Sequence, residues 1–386
     1  MRFLRAKYLF DGLNLKENFA VVVNGSSVVD VGAYDELRKS YIELEVNDLG
    51  EGVLFCGFVN AHTHLELSYL KGKTEAFGGF VKWLASVMSN KSRYEEYVVL
   101  ENMDKSIDEL IENGVAIVGD ISNTLISIDR LSKKLPLSVV FYENYSLNLE
   151  RAFSAIDKLE KEGEMLSRMP IRIQLTPHAV YSSHPILMRY LCSKTDFMSL
   201  HFLESKYEKE FISGKGELYI FLKELGLLDY SFEYKNIWDY LKKLGCLKPK
   251  GLFVHCTEAE YEDLEMIRSI DGSVVLCPRS NWYISRKLPD VYKIEKSGLN
   301  IAIGTDSLAS NWDLNILNEM AFLKDHFPDI KSESIFRWAT SGGAKALRVK
   351  LGFFKGFYAK PYFIAANSSN PLDEILQKRG YLPLPY

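Results

Sequence analysis

Two histidines in the run His62-Thr63-His64 are the first residues in this sequence whose type and spacing could do chemistry. Residues two apart in a β-strand point to the same side, so both imidazoles can face one point. Imidazole suits zinc and similar divalent metals. The triplet alone is weak evidence, because a histidine pair of this kind is more often found without a metal.

Three further residues strengthen the prediction of a metal site. His201, His255 and Asp306 each end a short apolar run that is typical of a β-strand. In a barrel of parallel strands the carboxyl ends converge on one mouth, where active sites are built. A lone histidine there is more often a core or rim residue, and a lone aspartate after Gly-Thr is more often a helix N-cap. The combination of all five residues is what predicts a metal site.

An alternation of short apolar runs and helical patterns from Gly52 onward predicts the framework that positions these residues. The strand-like runs lie at 53–61, 115–120, 137–143, 171–176, 197–203, 252–256, 273–277 and 301–304. Near-continuous apolar strands that alternate with helices predict a parallel sheet covered on both faces. Eight such units over roughly 290 residues predict an α/β fold of the (β/α)8 TIM-barrel type. A doubly wound open sheet is the alternative, but no GxGxxG motif follows the first strand.

Both ends of the chain are predicted to form one small β-sandwich domain beside the barrel. A hairpin signal, Asn24-Gly25, lies between two apolar runs, and residues 353–366 also favour a strand. We expect residues 1–56 and 348–386 to make the small domain and residues 57–347 to make the barrel. The segment 205–249, with a helical pattern at 232–244, is long for one connection and predicts a lid or an interface.

Charge and cysteine usage exclude several classes of protein. The chain has 386 residues and a net charge of -4, which argues against a nucleic-acid partner and against a polybasic membrane-surface protein. Its five cysteines include no CxxC pair, which predicts a reducing compartment without a disulfide framework. No apolar run approaches the ~20 residues that span a bilayer. The N-terminus lacks the apolar core of a signal peptide, so we expect a cytoplasmic location.

Several motifs resemble those of the amidohydrolase superfamily. Residues 57–65, which read Gly-Phe-Val-Asn-Ala-His-Thr-His-Leu, resemble its first-strand signature. Motifs similar to those of its deaminase branch are Thr176-Pro177-His178, His201-Phe202-Leu203-Glu204, Cys277-Pro278-Arg279-Ser280-Asn281 and Gly304-Thr305-Asp306-Ser307. The resemblance covers nearly the whole chain, and within the branch the sequence most resembles the 6-aminodeoxyfutalosine deaminases of menaquinone biosynthesis.

That resemblance implies one divalent metal per chain, with zinc expected and iron as the alternative. The implied ligands are His62, His64, His201 and Asp306. Binuclear relatives often use a bridging lysine, and the fourth predicted strand at 171–176 has none. Glu143 could bridge two metals, although a rim or ribose-binding role is expected for it.

The resemblance also implies catalytic roles for Glu204, His255 and Asp306. Glu204 corresponds to the acid that protonates a ring nitrogen. His255 corresponds to a residue that hydrogen-bonds the attacking or leaving oxygen, and Asp306 to a proton acceptor. A rim salt bridge for Glu204 and a fourth histidine ligand for His255 are the alternatives.

The implied substrate is an adenine nucleoside with a modified 5′ tail, deaminated with release of ammonia. The residues predicted to contact it are Glu66, Glu143, Ser146, His178, Arg279 and Asn281. Arg279 is predicted to bind a carboxylate at the end of the tail, with a ribose hydroxyl or an ion pair with a rim acid as the alternatives. Alternatives are a deaminase of S-adenosylhomocysteine, methylthioadenosine or adenosine, a guanine deaminase or triazine-type hydrolase, and a catalytically inactive barrel that serves as a binding protein. A homodimer is compatible with the sequence, which does not determine the oligomeric state.

Overall fold

Strands and helices alternate through most of the computed structural model, which describes residues 1–91, 93–230, 234–377 and 384–385. The strands β1 to β17 are Arg2–Arg5, Tyr8–Phe10, Leu15–Glu17, Phe19–Asn24, Ser27–Ala33, Val46–Asp48, Gly52–Phe55, Phe58–Thr63, Val115–Ser122, Val139–Asn144, Arg172–Pro177, Ser199–Phe202, Leu252–His255, Ser273–Leu276, Asn300–Ile303, Tyr362–Ala365 and Leu384–Pro385. The helices α1 to α16 are Tyr34–Ser40, Phe80–Asn90, Glu96–Glu112, Ile128–Lys134, Leu149–Ser167, Pro185–Lys194, Tyr207–Ile212, Gly216–Glu224, Ile237–Lys243, Tyr261–Ser269, Pro278–Ser285, Val291–Lys296, Ile316–His326, Ser332–Arg337, Gly343–Ala346 and Pro371–Gln377. A 3-10 helix covers Leu65–Leu70 and a π-helix covers Trp338–Gly342.

Eight of the strands form two parallel sheets. One sheet has the order β11-β10-β9-β8 and the other has the order β12-β13-β14-β15. Parallel bridges between Thr63 and Asp306 and between Ala179 and His201 link strand-end residues of the two sheets. The prediction of an α/β fold with parallel strands is therefore confirmed.

The side chains of seven of these strands are buried on both faces almost throughout, whereas β11 is partly exposed. In β13 and β14, Phe253 and Val274 belong to one apolar cluster, while Val254 and Val275 belong to another. Successive residues of a strand point to opposite faces, so the near-continuous apolar runs of the sequence supply two separate cores. This burial fixes the register of each strand and with it the positions of the residues at the strand ends.

The predicted strand at 53–61 is wrong as a single element, because the chain divides it into β7 and β8. β7 pairs with β2 and β16, whereas β8 pairs with β9. The division occurs at Gly57, whose φ is 95°. A Cβ atom at Gly57 would lie 2.6 Å from Cβ of Ala116. Only glycine can combine this left-handed turn with the close approach to β9.

Both ends of the chain contribute to the remaining sheets, of orders β5-β4-β1-β6 and β17-β16-β7-β2-β3. The predicted hairpin is confirmed, since β4 and β5 pair antiparallel around Asn24-Gly25. The strand predicted at 353–366 is shorter and is limited to β16. β16 pairs antiparallel with β7, so the C-terminal part of the chain lies directly beside the strand that leads into β8.

The long segment 205–249 contains α7, α8 and α9. The predicted helix at 232–244 begins on residues outside the described part of the chain, and α9 starts after Asn236, whose side chain accepts a hydrogen bond from the Asp239 N–H. Cys246 follows α9 and forms a disulfide with Cys192 of α6. This bond departs from the expectation of unpaired cysteines, because the packing brings together residues that are 54 positions apart. Among the described residues, none of the helices combines the length and the apolar character that a membrane span requires.

The approach of β15 to β8 generates a test of the fold at Gly304. A Cβ atom at this position would lie 2.7 Å from the backbone oxygen of His62 and 2.9 Å from its Cβ. We expect Gly304→Ala to lower the free energy of unfolding by about 1–3 kcal/mol, as overpacked sites do. Denaturant unfolding should show no comparable loss for Gly32→Ala, since a Cβ there meets no atom within 4 Å. Equal stability of the two variants would contradict the close approach of the strands.

Candidate active site

Three histidines from two strand ends meet at one point. His62 lies in β8, His64 follows it, and His201 lies in β12. The ring centre of His62 is 5.0 Å from that of His64 and 4.8 Å from that of His201. One ligand nitrogen from each of the three lies within 4.8 Å of the others. The spacing of the His62-Thr63-His64 run therefore directs both of its imidazoles toward the same partner from another strand.

Asp306 completes this group from the end of β15. Its Oδ1 atom lies 3.3 Å from Nε2 of His64 and 3.8 Å from Nε2 of His62. Its Oδ2 atom accepts hydrogen bonds of 2.7 Å from the hydroxyls of Ser280 and Ser310. The two serines thus orient the carboxylate so that Oδ1 faces the histidines.

The donor set fits a divalent metal. The Nε2 atoms of His62 and His201 are buried and have no hydrogen-bond partner among the described residues. Burial lowers the pKa of His62 well below its usual value and that of His64 to about 3, so both imidazoles stay neutral and keep a lone pair. Burial acts to raise the pKa of Asp306, but His64 and its neighbouring imidazoles hold that pKa below its usual value. Three neutral imidazoles and one carboxylate make a donor set that zinc prefers.

Glu143 and His178 form a second group of possible ligands together with His201. Their ligand atoms and those of His201 also lie within 4.8 Å of one another. Burial raises the pKa of Glu143, and its side chain accepts a hydrogen bond from Asn123. β11 contributes no lysine, so no bridging lysine accompanies this group.

His255 lies at the end of β13 and contacts the group through His201. Its Nε2 atom is 3.0 Å from Nδ1 of His201, and its Nδ1 atom is 3.1 Å from the carboxamide of Asn281. A metal on Nε2 of His201 requires the proton on Nδ1, which then donates to His255. His255 in turn carries its proton on Nδ1, whose neighbour at 3.1 Å is the Asn281 amide nitrogen. Turning the Asn281 carboxamide over by 180° brings Oδ1, which has no partner among the described residues, into place as the acceptor. Asn281, predicted to contact substrate, is thus placed to orient His255.

Glu204 is buried beside both histidines. Its Oε1 atom is 3.7 Å from Nε2 of His255, and its Oε2 atom is 3.9 Å from Nδ1 of His201. Burial raises the pKa of Glu204 to about 7, with His255 opposing the shift and Asp306 adding to it. A carboxyl group with this pKa holds a proton in a large fraction of molecules at neutral pH and can serve as a general acid.

A cavity of about 350 Å³ opens onto this group of residues. Its floor includes His64, His201, Glu204 and Asp306, and its wall includes three predicted substrate contacts, Glu143, Ser146 and His178. Pockets of this size hold small organic ligands and are the usual place for a reaction site.

Two other predicted substrate contacts are engaged elsewhere. The terminal nitrogens of Arg279 donate to the two carboxylate oxygens of Asp313 at 2.6 and 2.8 Å. Glu66 accepts hydrogen bonds from the backbone of Asn123 and Thr124, and so fixes the loop after β9. Neither Arg279 nor Glu66 is among the described residues that line the cavity.

Sequence reasoning missed the outer wall of the cavity. Helix α2 and its C-cap residue contribute Leu84, Val87, Met88 and Lys91. These positions follow the i, i+3, i+4, i+7 spacing of one helix face, which is a signal that could have identified them. The spacing alone does not distinguish a cavity wall from a core-facing stripe.

Two positive side chains lie in this outer region. Lys91 donates hydrogen bonds of 3.0 Å to Asn123 and to the Tyr145 hydroxyl. Arg151 of α5 lines the cavity, and no described carboxylate lies within ion-pair distance of its guanidinium. The outer cavity is therefore lined by apolar side chains of α2 and by two positive side chains, Lys91 at the end of α2 and Arg151 of α5.

Comparisons with known proteins agree with this geometry. A model of the amidohydrolase family matches residues 53–371. An adenosine deaminase from Helicobacter pylori is 33% identical over 356 residues, which cover 87% of this chain and 84% of that protein. An aminodeoxyfutalosine deaminase from Nitratiruptor sp. is 27% identical over 343 residues, which cover 84% and 81% of the two chains. The crystal structure of H. pylori aminofutalosine deaminase in complex with methylthio-coformycin superposes with a TM-score of 0.86 and 28% identity, and covers 98% of this chain and 95% of that one.

The geometry generates a test by metal analysis. We expect purified His201→Ala and Asp306→Ala to lose bound metal, because each variant removes one of four donors. His255→Ala should keep its metal, and the exposed His326→Ala serves as a control for histidine removal. Full metal occupancy in His201→Ala or Asp306→Ala would remove that residue from the ligand set. Loss of metal in His255→Ala would favour four histidine ligands.

Proposed function

Because the chain belongs to the amidohydrolase family and is a hydrolase acting on C–N bonds, we propose that it is a metal-dependent deaminase of the adenine ring of a 5′-modified nucleoside. One observation carries the proposal. A metal-binding donor set and a buried acid with a pKa of about 7 open onto the same cavity. Deamination of an amidine-like ring needs both water activation and a proton for the ring nitrogen.

The metal is proposed to bind His62, His64, His201 and Asp306. Zinc fits this donor set, and iron is the alternative that metal analysis distinguishes. When bound, such an ion lowers the pKa of water to about 7.

The chain's own residues are proposed to hold and move the protons. Glu204 donates a proton to the ring nitrogen next to the reacting carbon. Oδ1 of Asp306 accepts a proton, while Ser280 and Ser310 keep Oδ2 in place. His255 is proposed to hydrogen-bond the oxygen that adds to the ring, for which its Nε2 atom must leave Nδ1 of His201, while Asn281 holds the imidazole through Nδ1.

The outer cavity supports an aromatic carboxylate as the tail of the nucleoside. The apolar face of α2 offers a surface for a ring, and Lys91 and Arg151 offer positive charge beyond it. Arg151 is exposed at the outer end of the cavity, where an arginine can bind a carboxylate through two nitrogens. This pattern favours conversion of 6-aminodeoxyfutalosine to futalosine and ammonia, a step in menaquinone biosynthesis.

A second candidate is a deaminase of methylthioadenosine, S-adenosylhomocysteine or adenosine. The apolar stripe of Leu84, Val87 and Met88 favours it, since a thioether tail would pack there without a charged partner. Guanine, triazines and a purely binding role are less favoured, because they leave the charged outer cavity or the acid Glu204 without a use.

Membership of the amidohydrolase family also bears on the architecture. We propose that the two parallel sheets form one (β/α)8 barrel over residues 57–347. The bridges from Thr63 to Asp306 and from Ala179 to His201 support its closure. Residues 1–56 and 348–386 are proposed to form the small β-sandwich domain.

The role of Glu204 is tested by its replacement with glutamine. We expect Glu204→Gln to retain its metal and to lower kcat by ~10²-fold or more, the usual scale for a general acid. In the unmodified enzyme, kcat should fall as the pH rises above about 7, because Glu204 then loses the proton that it must donate. Spectrophotometric deamination assays across pH measure both effects. An unchanged kcat in Glu204→Gln would exclude this residue as the acid.

The tail of the substrate is tested at Arg151. We expect Arg151→Met to lower kcat/KM for 6-aminodeoxyfutalosine by ~10–100-fold, which corresponds to the loss of a charged hydrogen-bond pair of about 1.5–3 kcal/mol. The loss for methylthioadenosine, which has no carboxylate, should be much smaller.

Arg279→Met is the matched comparison, because the sequence predicted the selective loss for Arg279. With its guanidinium bonded to Asp313, Arg279→Met should affect both substrates equally. A selective loss in Arg279→Met and none in Arg151→Met would return the carboxylate contact to Arg279.

A further inference from the structure

We propose that Glu208 is a positioning residue for the acid Glu204, an inference that rests on the proposed function. Glu208 lies in the first turn of α7, four residues beyond Glu204, and its side chain is fully buried. Among the described residues, Glu208 is not one of those that line the cavity. It therefore acts on Glu204 from the side that faces away from the cavity.

The carboxylate of Glu208 accepts hydrogen bonds from three successive backbone amides. Its Oε2 atom accepts from the Leu203 N–H at 2.9 Å. Its Oε1 atom accepts from the Glu204 N–H at 2.7 Å and from the Ser205 N–H at 3.4 Å. One side chain therefore binds the whole turn between β12 and α7.

This turn needs such support because of its backbone conformation. Leu203 has a φ of 48°, in the left-handed region that residues with a side chain rarely adopt. A residue held there persists only when its surroundings hold it. Burial raises the pKa of Glu208 to about 8, and the three backbone amides oppose that shift. Both of its oxygens can accept hydrogen bonds whether or not the group is charged, so Glu208 is well suited to hold the turn.

The side chain of Glu204 depends on this turn for its position. Its Oε1 atom is buried without a hydrogen-bond partner among the described residues. The nearest imidazole nitrogens, on His255 and His201, are 3.7 and 3.9 Å from its carboxylate oxygens, beyond hydrogen-bond length. The backbone must therefore aim the acid, and a misplacement of about 1 Å can cost ~10²-fold in rate.

Glu208→Gln tests the proposal because it keeps the shape of the side chain. A carboxamide has one acceptor oxygen, and its NH₂ group would face a backbone N–H. We expect kcat to fall by ~10–100-fold with KM within about threefold and metal content unchanged. Glu210→Gln, which removes a charge from the same helix, is the matched control and should leave kcat unchanged.

A double variant separates positioning from a general loss of structure. If Glu208 acts through Glu204, then Glu204→Gln/Glu208→Gln should have the same kcat as Glu204→Gln within about twofold. A further loss that multiplies the two single effects would overturn the proposal, since Glu208 would then act independently of the acid. Should Glu208→Gln fail to fold, Glu208→Asp keeps both acceptor oxygens at a shorter reach and should show the same loss in kcat alone.

Hydrogen exchange gives a readout that does not need turnover. The amides of residues 203–205 should exchange at least ~10-fold faster in Glu208→Gln than in Glu210→Gln, at equal Tm. Unchanged exchange would overturn the proposal whatever the kinetics. Absence of deamination by the unmodified protein on every nucleoside would refute the proposed function instead, and the exchange rates would still decide whether Glu208 holds the turn.

Discussion

Burial of polar side chains at the carboxyl ends of the parallel strands is the constraint on which the rest of the structure depends. His62, His201, Glu204 and Asp306 are all nearly inaccessible to water. A buried polar group without a partner costs free energy, and a buried charge costs more. Burial of the two apolar cores compensates for this cost. The same burial determines the strand register, which brings these polar groups together.

The supporting hydrogen bonds follow from the same constraint. Ser280 and Ser310 engage Oδ2 of Asp306, which leaves Oδ1 facing the histidines. Asn281 engages Nδ1 of His255, which leaves Nε2 facing His201. The Nε2 atoms of His62 and His201 are the exception, since neither has a hydrogen-bond partner in the described chain, and a cation is the partner that suits neutral imidazoles. Burial also raises the pKa of Glu204 into the range where an acid is useful at neutral pH.

Much of this arrangement was predictable from the sequence, and the exceptions have physical causes. The near-continuous apolar runs of the parallel strands marked the strand ends in the sequence, and with them His62, His64, His201, His255 and Asp306. Contacts between residues that are far apart in the sequence left no such pattern in it. Arg279 follows a strand end as a ligand-binding residue would, yet Asp313 engages it in three dimensions. Arg151 and Lys91 occupy ordinary helical positions, and only the packing of α2 and α5 brings them to one cavity.

The pairing of β7 with β16 has a consequence for folding during translation. The chain emerges from its N-terminus, so β2 and β7 are made long before β16 exists. Their shared sheet lacks an antiparallel partner on one edge throughout synthesis of the intervening segments. Contacts between such distant segments form slowly, and an open strand edge in the meantime can pair with other chains. The assembly of this sheet must therefore wait until the residues of β16 have been translated.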